Sequence, residues 1–240
     1  MQSKTSAIVL HTVRYSDSSY IVTFFTQQHG RLAVLVRAVN SKKSTVKPAY
    51  FQHLTLVDVD VSIKPGRELH TLKDIRIEQV LQRLSSSPVK NAIALFLSEV
   101  MFKTLRHSEP DSSLFEFVRS AVISLNEIET HYTNFHLCFL LKLSVHFGFA
   151  PHFENSDFAF FDFIQGEFVA TRPLHKHVAM RSEMLPLMEL ATSDFNQLGH
   201  VDLDRKSRTK LLAILMEYYS LHLDGFRNLN SPAVLQALFD

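Results

Sequence analysis

The sequence predicts an α+β, multidomain protein: a small five-stranded barrel over residues 1–83, then an all-helical domain over residues 84–240 with an inserted short β-hairpin. Three observations predict it. Short runs of β-branched and aromatic residues fill the first third. A polar break of Ser85, Ser86, Ser87 and Pro88 follows. Beyond the break, apolar residues recur at helical spacing. With 240 residues and 46% hydrophobic content, the chain has material for a sizeable core.

The first strand is expected over residues 7–10 (Ala, Ile, Val, Leu) and the second over 20–26, rich in β-branched and aromatic side chains. Gly30 supplies a turn before a third strand over 32–36. Residues 57–63 alternate valine or isoleucine with Asp58, Asp60 and Ser62, so one face is apolar and the other wet. Pro65 and Gly66 mark a turn, and residues 69–77 form the fifth strand. Five short strands in about 75 residues suit a closed barrel of either the oligonucleotide-binding or the SH3-like kind.

In the second domain Val89, Ile93, Phe96, Leu97, Val100 and Met101 share one helical face. Asp111 is placed to cap a second helix carrying Leu114, Phe115, Val118, Val122 and Leu125. A third helix spans about 131–147, ended by Gly148 and Pro151. Two or three more follow, one over about 204–223 and one after Pro232. Phe158, Phe160, Phe161, Phe163 and Phe168 flank Gln165 and Gly166 and read as a hairpin packed on the helices, or as an exposed contact surface.

Several chemistries have no support in the sequence. The six glycines are isolated, so no phosphate-cradling loop or dinucleotide fingerprint is present, and no serine sits in a Gly-x-Ser-x-Gly elbow. The single cysteine, Cys138, lies in an apolar helical run, which points to packing and a reducing compartment. Thirteen histidines include no His-Glu-x-x-His, and the pairs His175/His177 and His131/His136 converge with no carboxylate that spacing identifies. No catalytic residue, metal site or cofactor is therefore expected. No apolar stretch reaches the length of a membrane span, and the N-terminus lacks a secretory apolar segment, so the expected location is cytoplasmic.

A net charge of +1 conceals an asymmetry. Residues 1–83 hold 12 Lys/Arg against 6 Asp/Glu, while residues 84–240 hold 13 against 18. No acidic residue occurs between Asp17 and Asp58, a window with Arg31, Arg37, Lys42, Lys43 and Lys47. Such a basic segment suits a polyanion. Residues 37–48 join the third and fourth strands and offer Lys, Arg, Ser and Thr donors for phosphate oxygens. Arg14 extends the set, and Tyr15, Tyr20, Tyr50 and Phe51 lie near it in sequence; Tyr50 is the expected base-stacking residue and Phe51 a core residue. Nothing offers base-edge readout, so binding should be non-specific and salt-dependent. A second cluster, Arg205, Lys206 and Arg208, opens a helix where cations oppose the helix dipole; Asp202 and Asp204 offset it unless an acidic peptide or phosphate docks there.

Taken in order, Lys4 to Leu10, Tyr15 to Val22, Phe25, Thr26 and Gly30 resemble the opening of the bacterial RecO family of recombination mediators. Arg37, Ala38, Lys42, Lys43 and Ser44 match its basic loop. Ser98, Glu99, then Glu109, Pro110, Asp111, Leu114 and Phe115, then Gly148, Phe149, Ala150 and Pro151 follow in family-like order. The resemblance implies an oligonucleotide-binding barrel on a helical domain, no hydrolase activity, and a bacterial, nucleoid-associated location. It also implies binding of single- and double-stranded DNA, strand annealing, and work with RecR to replace single-strand-binding protein by RecA. The acidic, apolar C-terminal tail of single-strand-binding protein is a further implied partner, with Arg205, Lys206 and Arg208 as its expected contacts. Many members carry two Cys-x-x-Cys pairs holding zinc just after the Gly-Phe-Ala-Pro position. Residues 152–156 here have none, so this member is expected to use apolar packing instead of a metal. The alternative reading is a non-enzymatic adaptor whose helical domain binds an acidic peptide and whose barrel is structural.

Overall fold

The computed structural model describes residues 1–37, 46–105 and 109–238. They form two compact units, Met1–Asn126 and Glu127–Asp240. The strand-to-helix change does fall near residue 83, as expected. Compactness divides elsewhere, because the first three helices pack with the barrel.

In the first unit the strands are β1 (Gln2–Ser16), β2 (Ser19–Thr26), β3 (Gly30–Val36), β4 (Leu56–Ser62) and β5 (Leu69–Ile77). They close in the order β1-β2-β3-β5-β4, with β3 and β5 parallel and the other pairs antiparallel. That order is the Greek-key barrel of the oligonucleotide-binding fold, which decides against the SH3-like alternative. Ala7, Val9, Val22, Phe24, Val34, Val36, Val57, Val59 and Val61 fill the interior, each buried. β1 is far longer than residues 7–10 because it pairs with β2 along one edge and β4 along the other. Such a strand is held by its neighbours, so polar residues at its ends do not stop it.

The expected wet face of β4 is only half wet. Asp60 is 8% exposed, covered where Gln2 Nε2 donates to its Oδ2 at 2.7 Å. The serine-rich break also has structure. α1 (Gln82–Ser86) forms there, capped by Asn126 Oδ1, which accepts from the Arg83 and Leu84 amides at 3.1 Å. Ser87 then caps α2 (Pro88–Thr104), with Pro88 in the first turn. Asp111 caps α3 (Ser112–Glu127) through the Leu114 amide at 2.9 Å, as its position suggested.

α2 and α3 are bound to the barrel by specific contacts. A register shift between Val9 and His11 frees the Leu10 carbonyl, which accepts from Ser98 Oγ on α2. Phe25 packs on Phe115 at 5.5 Å, and Arg119 pairs with Glu78.

In the second unit α4 (Phe135–His146) is apolar all round and central, with nine of its residues buried. It starts later than spacing suggests because His131 is left-handed and residues 132–134 form a 3₁₀ turn. The Phe-rich segment is a three-stranded sheet, β7-β6-β8, from β6 (Phe160–Asp162), β7 (Glu167–Val169) and β8 (Val178–Met180). Helices α5 (Arg181–Thr192), α6 (Arg205–His222) and α7 (Ser231–Leu238) complete it. Phe161, Phe163 and Phe168 are buried, and Tyr218 of α6 packs edge-on against Phe161 and Phe163. The sheet is thus packed on helices, with Phe158 and Ile164 left outside.

Candidate nucleic-acid interface

Barrels of this strand order present ligands to the β2–β3 face between the β1–β2 and β4–β5 turns. Register places Arg14 beside Tyr20 and Tyr20 beside Val36, so the β1–β2 tip and the end of β3 share one end of the barrel. The β4–β5 turn is Lys64, Pro65, Gly66 and Arg67, closed by the Arg67 amide donating to the Lys64 carbonyl at 3.3 Å. Proline at the second position and Gly66 at φ +70 make it a type II turn, which holds the two cations at its flanks. Parallel pairing of β5 with β3 then brings Arg37 close. Leu35, Arg37, Lys64, Arg67, Glu68, Leu69, His70 and Thr71 line one groove of about 480 Å³.

Three exposed cations face one carboxylate there, and among the described residues no ion pair neutralises Arg37, Lys64 or Arg67. Burial holds the His70 imidazole below its usual pKa, and His29 pushes the same way, so His70 adds hydrogen-bonding capacity without charge at neutral pH. The Lys64 amide donates to His70 Nδ1 at 3.4 Å. The arrangement suits a chain of phosphates better than a closed small-molecule site.

The expected contacts separate into groups. Arg37 and Lys47 are exposed, Arg37 at the end of β3 and Lys47 before the 3₁₀ turn Pro48–Phe51. Arg14 is exposed and paired with Asp17 at 2.9 Å, an arrangement that costs little to exchange for a phosphate. Tyr50 is half-buried against the barrel core, Tyr20 packs edge-on against Phe51, and Phe51 is core as expected. The ring that stands out is Tyr15, 66% exposed at the hairpin tip beside Val13. Lys42 and Lys43 lie outside the described residues.

Arg31 has a different task. Its guanidinium donates to the carbonyls of Phe102 (3.0 Å) and Leu105 (3.4 Å) and lies 4.3 Å over the Phe102 ring. It closes the carbonyl end of α2, where a cation is favoured by the dipole. Sequence reasoning missed Lys64 and Arg67. Their signal was there, two cations flanking a Pro-Gly turn.

In the second unit Arg205 and Lys206 are exposed on the first turn of α6. Arg208 turns inward, donating to Asn134 Oδ1 (3.0 Å), Thr133 Oγ1 (3.3 Å) and the Leu203 carbonyl (2.8 Å). Asp204 caps the helix by accepting from the Ser207 amide at 2.7 Å, and the Ser207 side chain, then this amide, hold its carboxyl below the usual range. Lys210 pairs with Glu183 at 2.5 Å. The cluster is therefore offset locally, with two of its three expected contacts facing outward.

His175 and His177 find carboxylates that spacing did not identify. His175 Nε2 meets buried Asp162 Oδ2 at 3.2 Å, and His177 Nδ1 meets Glu217 Oε1 at 2.7 Å. Among the described residues no three His, Cys, Asp or Glu side chains converge as metal ligands. Residues 152–156 offer no thiolate, and Phe153 packs on Phe161 and Phe168 instead. These residues do not suit the four-thiolate zinc site that the resemblance implies for many members. Cys138 is buried, its thiol pushed up to about 12 by burial, and it donates weakly to the Ser193 carbonyl. Among the described residues no helix is long and apolar enough to cross a membrane.

A five-stranded oligonucleotide-binding barrel, followed by helices with a small inserted sheet, defines the class. Comparison with known proteins narrows it: the chain matches the family models described as Recombination protein O N terminal over residues 1–80 and Recombination protein O C terminal over residues 85–231. It belongs to the RecO family of DNA repair proteins. Relatives named DNA repair protein RecO include those of Bacteroides fragilis (34% identical over 242 residues), Azobacteroides pseudotrichonymphae (32% over 243) and Flavobacterium psychrophilum (33% over 245). In each case the similarity covers 100% of both chains.

Proposed function

We propose that the protein is a non-enzymatic recombination mediator that grips DNA without regard to sequence on the basic end of its barrel. The observation that carries this reading is the groove where Arg37, Lys64 and Arg67 outnumber one carboxylate, Glu68, and form no ion pair among the described residues. Lys47 adds charge, the sequence of the β3–β4 connection carries Lys42 and Lys43, and Tyr15 offers a ring to an unstacked base. Neutralising phosphates on two strands lowers the repulsion that slows their pairing, which is how such a protein anneals complementary strands.

Single- and double-stranded DNA are both substrates, because the grip is on the backbone. Family membership supports the rest of the reading: cooperation with RecR, docking of the single-strand-binding protein tail on the helical domain near Arg205 and Lys206, and loading of RecA. Annealing of complementary strands coated with single-strand-binding protein tests it. Lys42→Ala with Lys43→Ala should slow annealing and flatten the plot of log affinity against log salt by about 1 to 2. An unchanged slope with unchanged annealing would exclude the loop as the DNA site, and no DNA binding even at low salt would leave the adaptor reading standing.

A further inference from the structure

A second groove, of about 350 Å³, lies among the start of β1, the β2–β3 turn, and facing residues of β4 and β5. The β2–β3 and β1–β2 turns bound the eight-residue β2, so at about 3.3 Å per residue they stand about 25 Å apart. This groove opens beside the β2–β3 turn and the basic groove beside the β4–β5 turn, and along β5 their linings, Asp74 and Thr71, lie three residues or about 10 Å apart.

Cross-strand register arranges its charges in two rows. Ser6, Asp58 and Arg76 form one, and Lys4, Asp60 and Asp74 the other. The first row is satisfied within itself. Asp58 accepts from Ser6 Oγ at 3.0 Å and from Arg76 Nε at 3.1 Å. The second is not. Asp60 is more than nine-tenths buried, Gln2 occupies its Oδ2, and its Oδ1 has no hydrogen-bond partner. Asp74 is exposed and, among the described residues, meets no donor. Lys4 stands directly opposite Asp60 without forming an ion pair. A buried carboxylate oxygen with no donor is costly, so the site is a place where a donor is missing.

We propose that this groove receives an arginine side chain of a protein partner, whose guanidinium bridges Asp60 Oδ1 and Asp74. A guanidinium carries several donors in a fixed plane and can serve two acceptors at once. An ammonium is already present as Lys4 and leaves the row open. A metal ion is a poorer match, since no three ligand side chains converge among the described residues. The groove has room for a whole arginine side chain.

The test titrates the full chain, labelled for amide NMR, with the capped peptide Gly-Arg-Gly, with its Gly-Lys-Gly counterpart, and with spermidine. The arginine peptide should shift the amides of Thr5, Gln28, Asp60 and Asp74 saturably, and bind about tenfold tighter than the lysine peptide. Asp74→Asn, a surface change that leaves the core intact, should weaken it about tenfold; Asp60→Asn should do the same in a folded sample. No saturable shift at these amides, equal binding by the lysine peptide or spermidine, or indifference to Asp74→Asn would each overturn the proposal.

Discussion

Arg31 lies near the start of β3 and Arg37 just past its end, six residues on, and the structure gives them opposite tasks. Arg31 closes the end of α2 on two carbonyls and a phenyl ring, while Arg37 opens into a groove and forms no ion pair among the described residues. Both were legible as cations; which one faces a carbonyl rather than a phosphate was not, because that depends on a helix 70 residues onward. Arg208 repeats the case through Asn134, Thr133 and Leu203. Arg31→Ala should therefore lower stability by about 1–3 kcal/mol in thermal unfolding and leave the salt dependence of DNA binding unaltered. Histidines add a pH dependence. Burial, reinforced by Arg208, holds His136 neutral down to about 3, and burial likewise lowers His11 and His53. In the unfolded chain they titrate near 6.5, so below that pH the unfolded state binds more protons and stability falls. The loss is about 1.4 kcal/mol per pH unit for each fully depressed histidine, and above about pH 7 they add no slope. Denaturant titrations between pH 7 and 4 should show the decline, and His136→Leu should flatten it by about one proton; an unchanged slope would refute the assignment.

Element by element, the strands were readable wherever one face is buried. β2, β3, β4 and β5 fall within two residues of their expected limits. β1 overran its expectation because pairing on both edges, rather than its own residues, sets its length. α1 was invisible in a serine run, since its cap comes from Asn126, over 40 residues away. β8 is three residues long and defined only by its partner β6. The β6–β7 turn was visible through Gln165 and Gly166, and the structure shows why glycine is needed. Gly166 has φ +73, and a Cβ there would lie 2.7 Å from the Tyr218 hydroxyl, which donates to the Phe149 carbonyl. Gly166→Ala should cost about 1–3 kcal/mol through backbone strain and loss of that hydrogen bond. A melting temperature equal to that of the parent would contradict this.

At the scale of the molecule, charge and architecture were legible together: a basic first third in strands and a more acidic remainder in helices. The family followed from residue order along the whole chain, and the full-length relatives bear it out. The compact units follow a different division, 1–126 and 127–240, because Ser98, Arg31, Phe115 and Arg119 bind α2 and α3 to the barrel. A change of secondary structure marks where a pattern ends, whereas a compact unit ends where packing ends. The basic groove needed the structure for the same reason: Arg37 and Lys64 are 27 residues apart and meet only through the parallel β3–β5 pair. The most direct test of the account is fluorescence anisotropy of the full chain with a single-stranded oligonucleotide across a salt series, beside a variant with Arg37→Ala, Lys64→Ala and Arg67→Ala. A grip on about four to six phosphates predicts a loss of about 10² to 10³ in affinity between about 50 and 200 mM salt, the same for any base composition. In the triple variant the slope should be shallower by about 2. No binding at low salt, or a variant with the parent's slope, would contradict it.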